Sequence, residues 1–260
     1  MADSARRLDP RRVPPAVGSI TPLGERIRSG RQRPRRFNFD YLHLKKLLED
    51  LEPVLADAVR PRDCVLDVYC GTRPYDDLLP PNSRCLGLDI EDRFGVADVV
   101  TSEFLPFDDC CFDVVMSIEA FHYVADPHAG VEEFRRVLRP GGRVVIAVPL
   151  VWEYDRTTLE HRYTGPSLAA LFEGWEDVQV RENGGRAVAW ATMSGRMVDL
   201  GRERLLAHFG LAPVWKAVAG IICAALNSVG ALLERTFDRE TARYALPMNL
   251  LLTARRPADE

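Results

Sequence analysis

Residues 64–72 read CVLDVYCGT, and a second apolar run, LGLDI, closes on Asp89 and Ile90. An apolar run with an acidic residue, a glycine-containing turn and a second strand ending in Asp together form the front half of a nucleotide-binding α/β unit. Gly71 has no side chain, so a turn there brings backbone N–H groups close to a ligand. A carboxylate at Asp89 can accept hydrogen bonds from both hydroxyls of a ribose. Two histidines are the candidates for proton transfer at neutral pH. His122 follows the strand expected at 112–118, and His161 lies beside Tyr163 in YDRTTLEHRYT. His128 and His208 read as surface positions, and His43 as a solvated or packing residue of a helix. Asp108 and Asp109 have no partner at ligand spacing, so they read as a solvated turn and no metal site is expected. No GxSxG elbow supports a serine nucleophile.

To position these residues the chain needs alternating strands and helices. The pattern predicts strands near 64–69, 84–89, 97–100, 112–118 and 143–148, with helices near 74–79, 128–138 and 166–173. Pro140-Gly141-Gly142 marks the stop between the second of these helices and the next strand. WEDVQVRE (175–182) reads as a sixth strand and YALPMNLLLTA (244–254) as a last one. Before them, Tyr41, Leu44, Leu47, Leu48, Leu51, Val54 and Leu55 recur at helical spacing, so a helix covers the sheet. The alternation implies a mostly parallel sheet covered on both faces, with ligands beyond its C-terminal strand ends. Asp67, Gly71, Asp89 and Ser117 all lie at such ends.

Charge divides the chain. Residues 1–36 hold ten Arg against three acidic residues, so the remainder carries the excess of acid behind the net charge of −4. Without a hydrophobic period this Arg/Pro-rich arm reads as disordered or loosely docked; attraction to anionic lipid or nucleic acid is the functional alternative. The acidic body argues against a nucleic-acid partner. The six cysteines show no CxxC and read as reduced thiols. The arm shows no apolar core of a secretory signal, and a cytoplasmic protein is the expectation.

Four blocks, VLDVYCGT, LGLDI, LPFDDCCFDVVMSIEAFHYVADP and EEFRRVLRPGGRVVIAVP, resemble the class I S-adenosylmethionine-dependent methyltransferases, of the type 11 kind, over residues 64–150. The resemblance implies a Rossmann-like, doubly wound, mostly parallel seven-stranded sheet with S-adenosylmethionine as cofactor. By the same resemblance Asp67 orients the loop and the methionine ammonium, Gly71 admits the cofactor to the backbone, Asp89 binds the ribose and Ile90 packs on the adenine. Thr101, Ser102 and Glu103 occupy the turn that reads the adenine amine, and Ser117 to Glu119 lie beneath the methionine part. Tyr69 and Arg73 stand where the family has Gly. The resemblance extends them to the cofactor site, where Tyr69 crowds the pocket and Arg73 belongs to a basic-Pro-Tyr variant of the turn. These departures motivate an alternative, a degenerate methyltransferase-like binding or scaffold protein. An NAD-dependent oxidoreductase is disfavoured because GxGxxG is absent. His122 would stand near the transferable methyl as a base for an oxygen acceptor, with His161 second.

The domain reading is an arm at 1–36, a methyltransferase core at 37–185, a helical insert at 186–243 and a last strand with tail at 244–260. Leu211 to Leu233 carries one charge, Lys216, and is long enough to span a bilayer. Trp215, Val218, Ile222, Leu226, Val229 and Leu233 form one stripe; Lys216, Gly220, Cys223, Asn227, Gly230 and Glu234 form another. The expectation is a cap helix packed by its apolar stripe, with peripheral membrane contact through 211–233 at the inner membrane face, a spanning helix and a dimer contact as alternatives. A cap there would wall the site of a small-molecule, glycan or lipid-linked acceptor.

Overall fold

The computed structural model describes residues 7–16, 18–101, 105–205, 212–237 and 245–258. Its strands are β1 (Cys64–Val68), β2 (Arg84–Asp89), β3 (Val99–Val100), β4 (Phe112–Ile118), β5 (Leu138–Pro149), β6 (Glu176–Asn183) and β7 (Asn249–Arg255). They form one seven-stranded sheet in the order β3-β2-β1-β4-β5-β7-β6. The first five pair in parallel, and β7 runs antiparallel between β5 and β6. Strand order reverses between β1 and β4, so the ends of these two strands open the crevice where ligands sit in such sheets.

The helices are α1 (Pro22–Gln32), α2 (Tyr41–Ala58), α3 (Pro127–Val137), α4 (Gly165–Ala170), α5 (Arg186–Leu205) and α6 (Ala212–Phe237). Alternate residues of each strand feed two cores. Leu66, Val68, Val115 and Val144 pack with Val131 and Phe134 of α3 and Leu168 of α4. Val65, Val114, Met116 and Val145 pack under Leu47, Leu51 and Leu55 of α2. Burial on both faces is why the strands read as continuous apolar runs.

Three expectations change. The helix expected at 74–79 is a single 3-10 turn, Asp76–Leu78. β5 begins at Leu138, directly after α3, with Gly141 left-handed at φ 78° inside it. The arm is not disordered where it is described, because its positive charge finds the acidic body. Arg7 pairs with Asp109, Leu8 N–H donates to Pro106 O at 2.7 Å, and Ala16 N–H donates to Asp98 at 2.6 Å. Helix α1 then lies beside the 3-10 turn, with Gln32 donating to Asp77 at 2.9 Å and Arg28 3.7 Å from it.

The insert also turns out differently. α5 and α6 form a helical pair whose buried cluster includes Leu42, Val188, Ala189 and Ala191. Yet α6 packs by its small and polar stripe. Ala219, Cys223, Asn227 and Gly230 are buried, while Val218, Ile221, Ile222, Val229 and Leu232 are exposed. The reason is close approach: a Cβ on Gly230 would lie 2.6 Å from the Cβ of Ala191 and 3.0 Å from a methyl of Leu42. Asn227 reinforces this orientation by donating to the carbonyls of Arg36 and Asn38, both at 2.9 Å. Among the described residues Trp215–Thr236 is the one helix long and apolar enough to cross a membrane. Its inner face is fixed to the body through Asn227 and Gly230. Leu211 and His208 lie outside the described residues.

Arg73 holds the β1–β2 connection to the sheet edge. Its guanidinium donates to Asp76 at 2.8 Å, to Asp98 at 2.6 Å and to Cys85 O at 2.8 Å. The Asp98 side chain is 2% exposed. Replacing Arg73 by Met strands that buried carboxylate, and the variant is expected to lose about 3–5 kcal/mol of stability. Urea unfolding reads this as a lowered midpoint; an unchanged midpoint means that the ion pair contributes nothing net.

Candidate active site

The turn after β1 carries Tyr69, Gly71 and Arg73, all left-handed, at φ 60°, 53° and 53°. Only one is the residue type that adopts this region without cost. The turn is held by the end of β2. Asp89 Oδ2 accepts the Gly71 N–H and Oδ1 accepts the Ile90 N–H, both at 2.8 Å. Each carboxylate oxygen keeps a second lone pair for a ligand hydroxyl. Burial pushes the Asp89 carboxyl up, helped by Glu91 and Asp92 and opposed by those two backbone bonds. Ile90 is exposed at the rim, as a side chain waiting to pack on a ligand would be.

Asp67 lies one residue before the end of β1 and is buried. Burial, then the charges of Asp76 and Asp89, push its carboxyl well above the usual range against the pull of Arg73. The loop is therefore a cradle with more carboxylate than counter-charge. Tyr69 lines a cavity of about 390 Å³ with Leu88, Thr101, Leu105 and the α3 face around Gly130 and Phe134. Its ring stands in the wall of that cavity.

Two residues expected at the ligand point elsewhere. Arg73 is spent on Asp76, Asp98 and Cys85 O. Ser117 is fully buried and donates its hydroxyl to Val68 O at 3.1 Å, tying β4 to β1. Ser102 and Glu103 lie outside the described residues.

A second, smaller cavity of about 100 Å³ opens beyond β4 and β5, lined by Arg31, Asp40, His43, Glu119, His122 and Trp152 among others. Glu119 follows β4 with φ 59°, and its N–H donates to Ala147 O at 2.8 Å. His43 Nε2 stands 3.5 Å from Glu119 Oε2. Burial works to raise the Glu119 carboxyl, but His43, Arg31 and His122 carry it below its ordinary value. Arg31 donates to the Tyr75 hydroxyl at 3.2 Å. His122 is 3% exposed and its Nδ1 has no hydrogen-bond partner. Burial pushes its imidazole down to about 4, with Arg162 in the same direction and Glu119 and Glu160 opposing. His161 is brought to it through the backbone, its N–H donating to His122 O at 2.8 Å, while its ring stacks on Tyr163 and its Nε2 lies 3.3 Å from Ala125 O. His128 is exposed at the start of α3.

His43 and Arg31 are the residues that reading the sequence missed. His43 carried a signal, since it lies four and eight residues before Leu47 and Leu51, both fully buried, on one helical line. A titratable residue on a buried line needs a partner. Arg31 carried none, because nothing local announces that the arm docks.

Residues 66–146 match the family described as "Methyltransferase domain". The chain is 32% identical over 136 residues to the demethylmenaquinone methyltransferase of Clavibacter sepedonicus, an alignment covering 44% of this chain and 54% of that protein. It is 39% identical over 67 residues to 27-O-demethylrifamycin SV methyltransferase of Amycolatopsis mediterranei, covering 25% of this chain and 24% of that one. The chain thus spans about half the length of the first relative and about a quarter of the second. A solved Haemonchus contortus phosphoethanolamine N-methyltransferase 2 in complex with S-adenosyl-L-methionine aligns with a TM-score of 0.48 at 15% identity, over 88% of this chain and 60% of that one.

The depressed imidazole gives a pH test. An unfolded His takes its proton below pH of about 6.5, whereas His122 resists until about 4. The folded state therefore loses stability as pH falls from about 6.5 towards 4, by up to about 3 kcal/mol. His122→Asn is expected to remove that share of the loss, read as a smaller gap between urea midpoints at neutral and acid pH. An unchanged gap would sink the buried, neutral assignment.

Proposed function

We propose that residues 66–146, which match the methyltransferase domain model, act as a class I S-adenosylmethionine-dependent methyltransferase and that this protein transfers a methyl group to a hydroxyl of a small-molecule, glycan or lipid-linked acceptor in the cytoplasm. The observation that carries the proposal is the Asp89–Gly71–Asp67 cradle. Two carboxylates flank one left-handed turn at the switch point of the sheet, and the burial-raised Asp67 lacks a full counter-charge.

This cradle fits the cofactor, whose ammonium and sulfonium are both cationic. Asp67 would hold the ammonium, Asp89 the ribose hydroxyls, Gly71 the close backbone approach, and Ile90 with Tyr69 the apolar flanks. When bound, the cofactor supplies a methyl already activated on sulfur. What remains for the chain is alignment, exclusion of water and a proton acceptor. His122 stays neutral at pH 7, but burial holds its imidazole down at about 4, so it would take the proton of an acceptor hydroxyl as a weak base, in need of charge stabilisation. Glu119, set beside it with His43, would stabilise the imidazolium that forms. Oxygen as the acceptor atom rests on this base; a carbon or nitrogen acceptor has less need of one.

Calorimetric titration with S-adenosylmethionine and adenosylhomocysteine tests the cradle. Asp89→Ala should weaken both roughly 10- to 100-fold, the range for a lost hydrogen bond to a charged group. No binding by the parent protein would favour a degenerate scaffold in which Tyr69 closes the pocket. Once a hydroxyl acceptor is found, His122→Gln should keep adenosylhomocysteine affinity within about twofold and lower kcat by roughly 100-fold or more. Equal kcat values would remove His122 from the reaction.

A further inference from the structure

The cavity beyond β4 and β5 holds an Arg and a Glu that do not pair. Arg31 and Glu119 both line it, and each feels the other's charge. Yet among the described residues Arg31 makes no ion pair, and its guanidinium has one hydrogen bond, to the Tyr75 hydroxyl at 3.2 Å. Both residues are fixed in place. Tyr75 anchors Arg31, and α1 carries it in from the arm. Glu119 sits at φ 59° with its N–H on Ala147 O, and His43 Nε2 lies 3.5 Å from its Oε2. The Glu119 side chain is 10% exposed, and its Oε1 has no partner. A guanidinium with N–H donors to spare and a buried carboxylate with an oxygen to spare thus border one small space. Buried polar groups find partners, so this gap calls for a bridge.

The bridge has to accept from Arg31 and donate to Glu119. A hydroxyl does both. A carbonyl or carboxylate would set its lone pairs against Glu119, and Asp40, which also lines the cavity, adds a second acid. An ammonium would have no lone pair for Arg31. The volume of about 100 Å³ is the share of roughly three waters. A small polar head therefore enters, while the body of an acceptor stays outside. His122 lines the same space. A hydroxyl held between Arg31 and Glu119 leaves a neighbouring one to meet that imidazole.

We infer, on the hydroxyl-methylating reading above, that the acceptor carries two neighbouring hydroxyls, one bridged between Arg31 and Glu119 and the other presented to His122. The bridged hydroxyl keeps its proton. The presented one gives its proton to the imidazole as its oxygen takes the methyl; the carbon–sulfur bond breaks and leaves adenosylhomocysteine. Arg31 thereby selects the acceptor, and the arm supplies Arg31. Of α1 only Gly24 is buried, so the helix adds little core and what it delivers is this guanidinium. Two kinds of molecule carry such a hydroxyl pair, a catechol and a sugar ring.

The test is titration of the full chain, followed by NMR of the ligand, with and without adenosylhomocysteine. Catechol is compared with phenol, and vicinal cyclohexanediol with cyclohexanol. One of the two diols should bind roughly tenfold or more tightly than its single-hydroxyl counterpart, because a site built to hydrogen-bond a hydroxyl rejects the analogue that lacks it. The pair that shows the preference tells an aromatic acceptor from a sugar-like one. Arg31→Met should reduce the preference to about twofold or less, and Arg31→Lys should restore part of it, since a point charge replaces the fork of donors. Both variants should bind adenosylhomocysteine as the parent does, which separates loss of the bridge from loss of the fold. A diol preference in a protein that binds no adenosylhomocysteine would sink the methyltransferase reading and uphold the diol site. Equal binding of diol and single hydroxyl in both pairs, or a preference that Arg31→Met leaves intact, would overturn the inference.

Discussion

The turn after β1 has to pass through three left-handed residues in five positions, and only Gly71 does so freely. Tyr69 and Arg73 hold conformations that cost an L side chain of order 1 kcal/mol or more each. They persist because the surroundings over-determine them. Asp89 draws the Gly71 N–H into the end of β2, and Asp76, Asp98 and Cys85 O hold the Arg73 guanidinium. The same Asp98 accepts the Ala16 N–H. The loop, the sheet edge and the N-terminal arm are therefore one mechanical unit. The two non-glycine left-handed residues of this turn divide the labour, with the Arg73 side chain turned into the scaffold and Tyr69 lining the cavity.

The electrostatics of the crevice follow from that geometry. Asp67 and Asp89 flank the turn and Glu119 follows the next strand of the switch point, so carboxyl groups gather where β1, β2 and β4 end. On the far side, α1 and α2 deliver Arg31 and His43 to Glu119. Glu119, one of the two carboxylates lining the second cavity, is thereby carried below its ordinary value, whereas burial pushes Asp67 well above its own. Two carboxyl environments, one starved of counter-charge and one supplied with it, give the two halves of the crevice different tasks.

Much of this was legible along the chain. The order of strands and helices, the ends at Asp67 and Asp89, and the loop at Gly71 follow from apolar runs, punctuation by Gly and Pro, and the periods of 2 and 3.6 residues. Those signals are local and survive whatever the elements pack against. The 3-10 turn at 76–78 was misjudged as a helix because a short polar segment gives too little periodicity to set its length. His122 and His161 were each singled out as candidates, but their meeting through a backbone bond was not foreseen.

The sequence by itself determined which residues could form a cofactor cradle and that α6 has two unlike sides. Which side faces inward was decided by tertiary structure. An apolar stripe gains by leaving water, but a small-residue stripe lets two helices approach until backbone and Cβ atoms touch, and periodicity alone does not rank these gains. Gly230 against Ala191, with Asn227 satisfying two carbonyls, settled it for close approach. Likewise no local pattern told that the Arg-rich arm docks, or that Arg31 and His43 reach Glu119. Those contacts join residues 44 to 102 positions apart, and their energy comes from the complementary charge of surfaces that exist only once the sheet has formed.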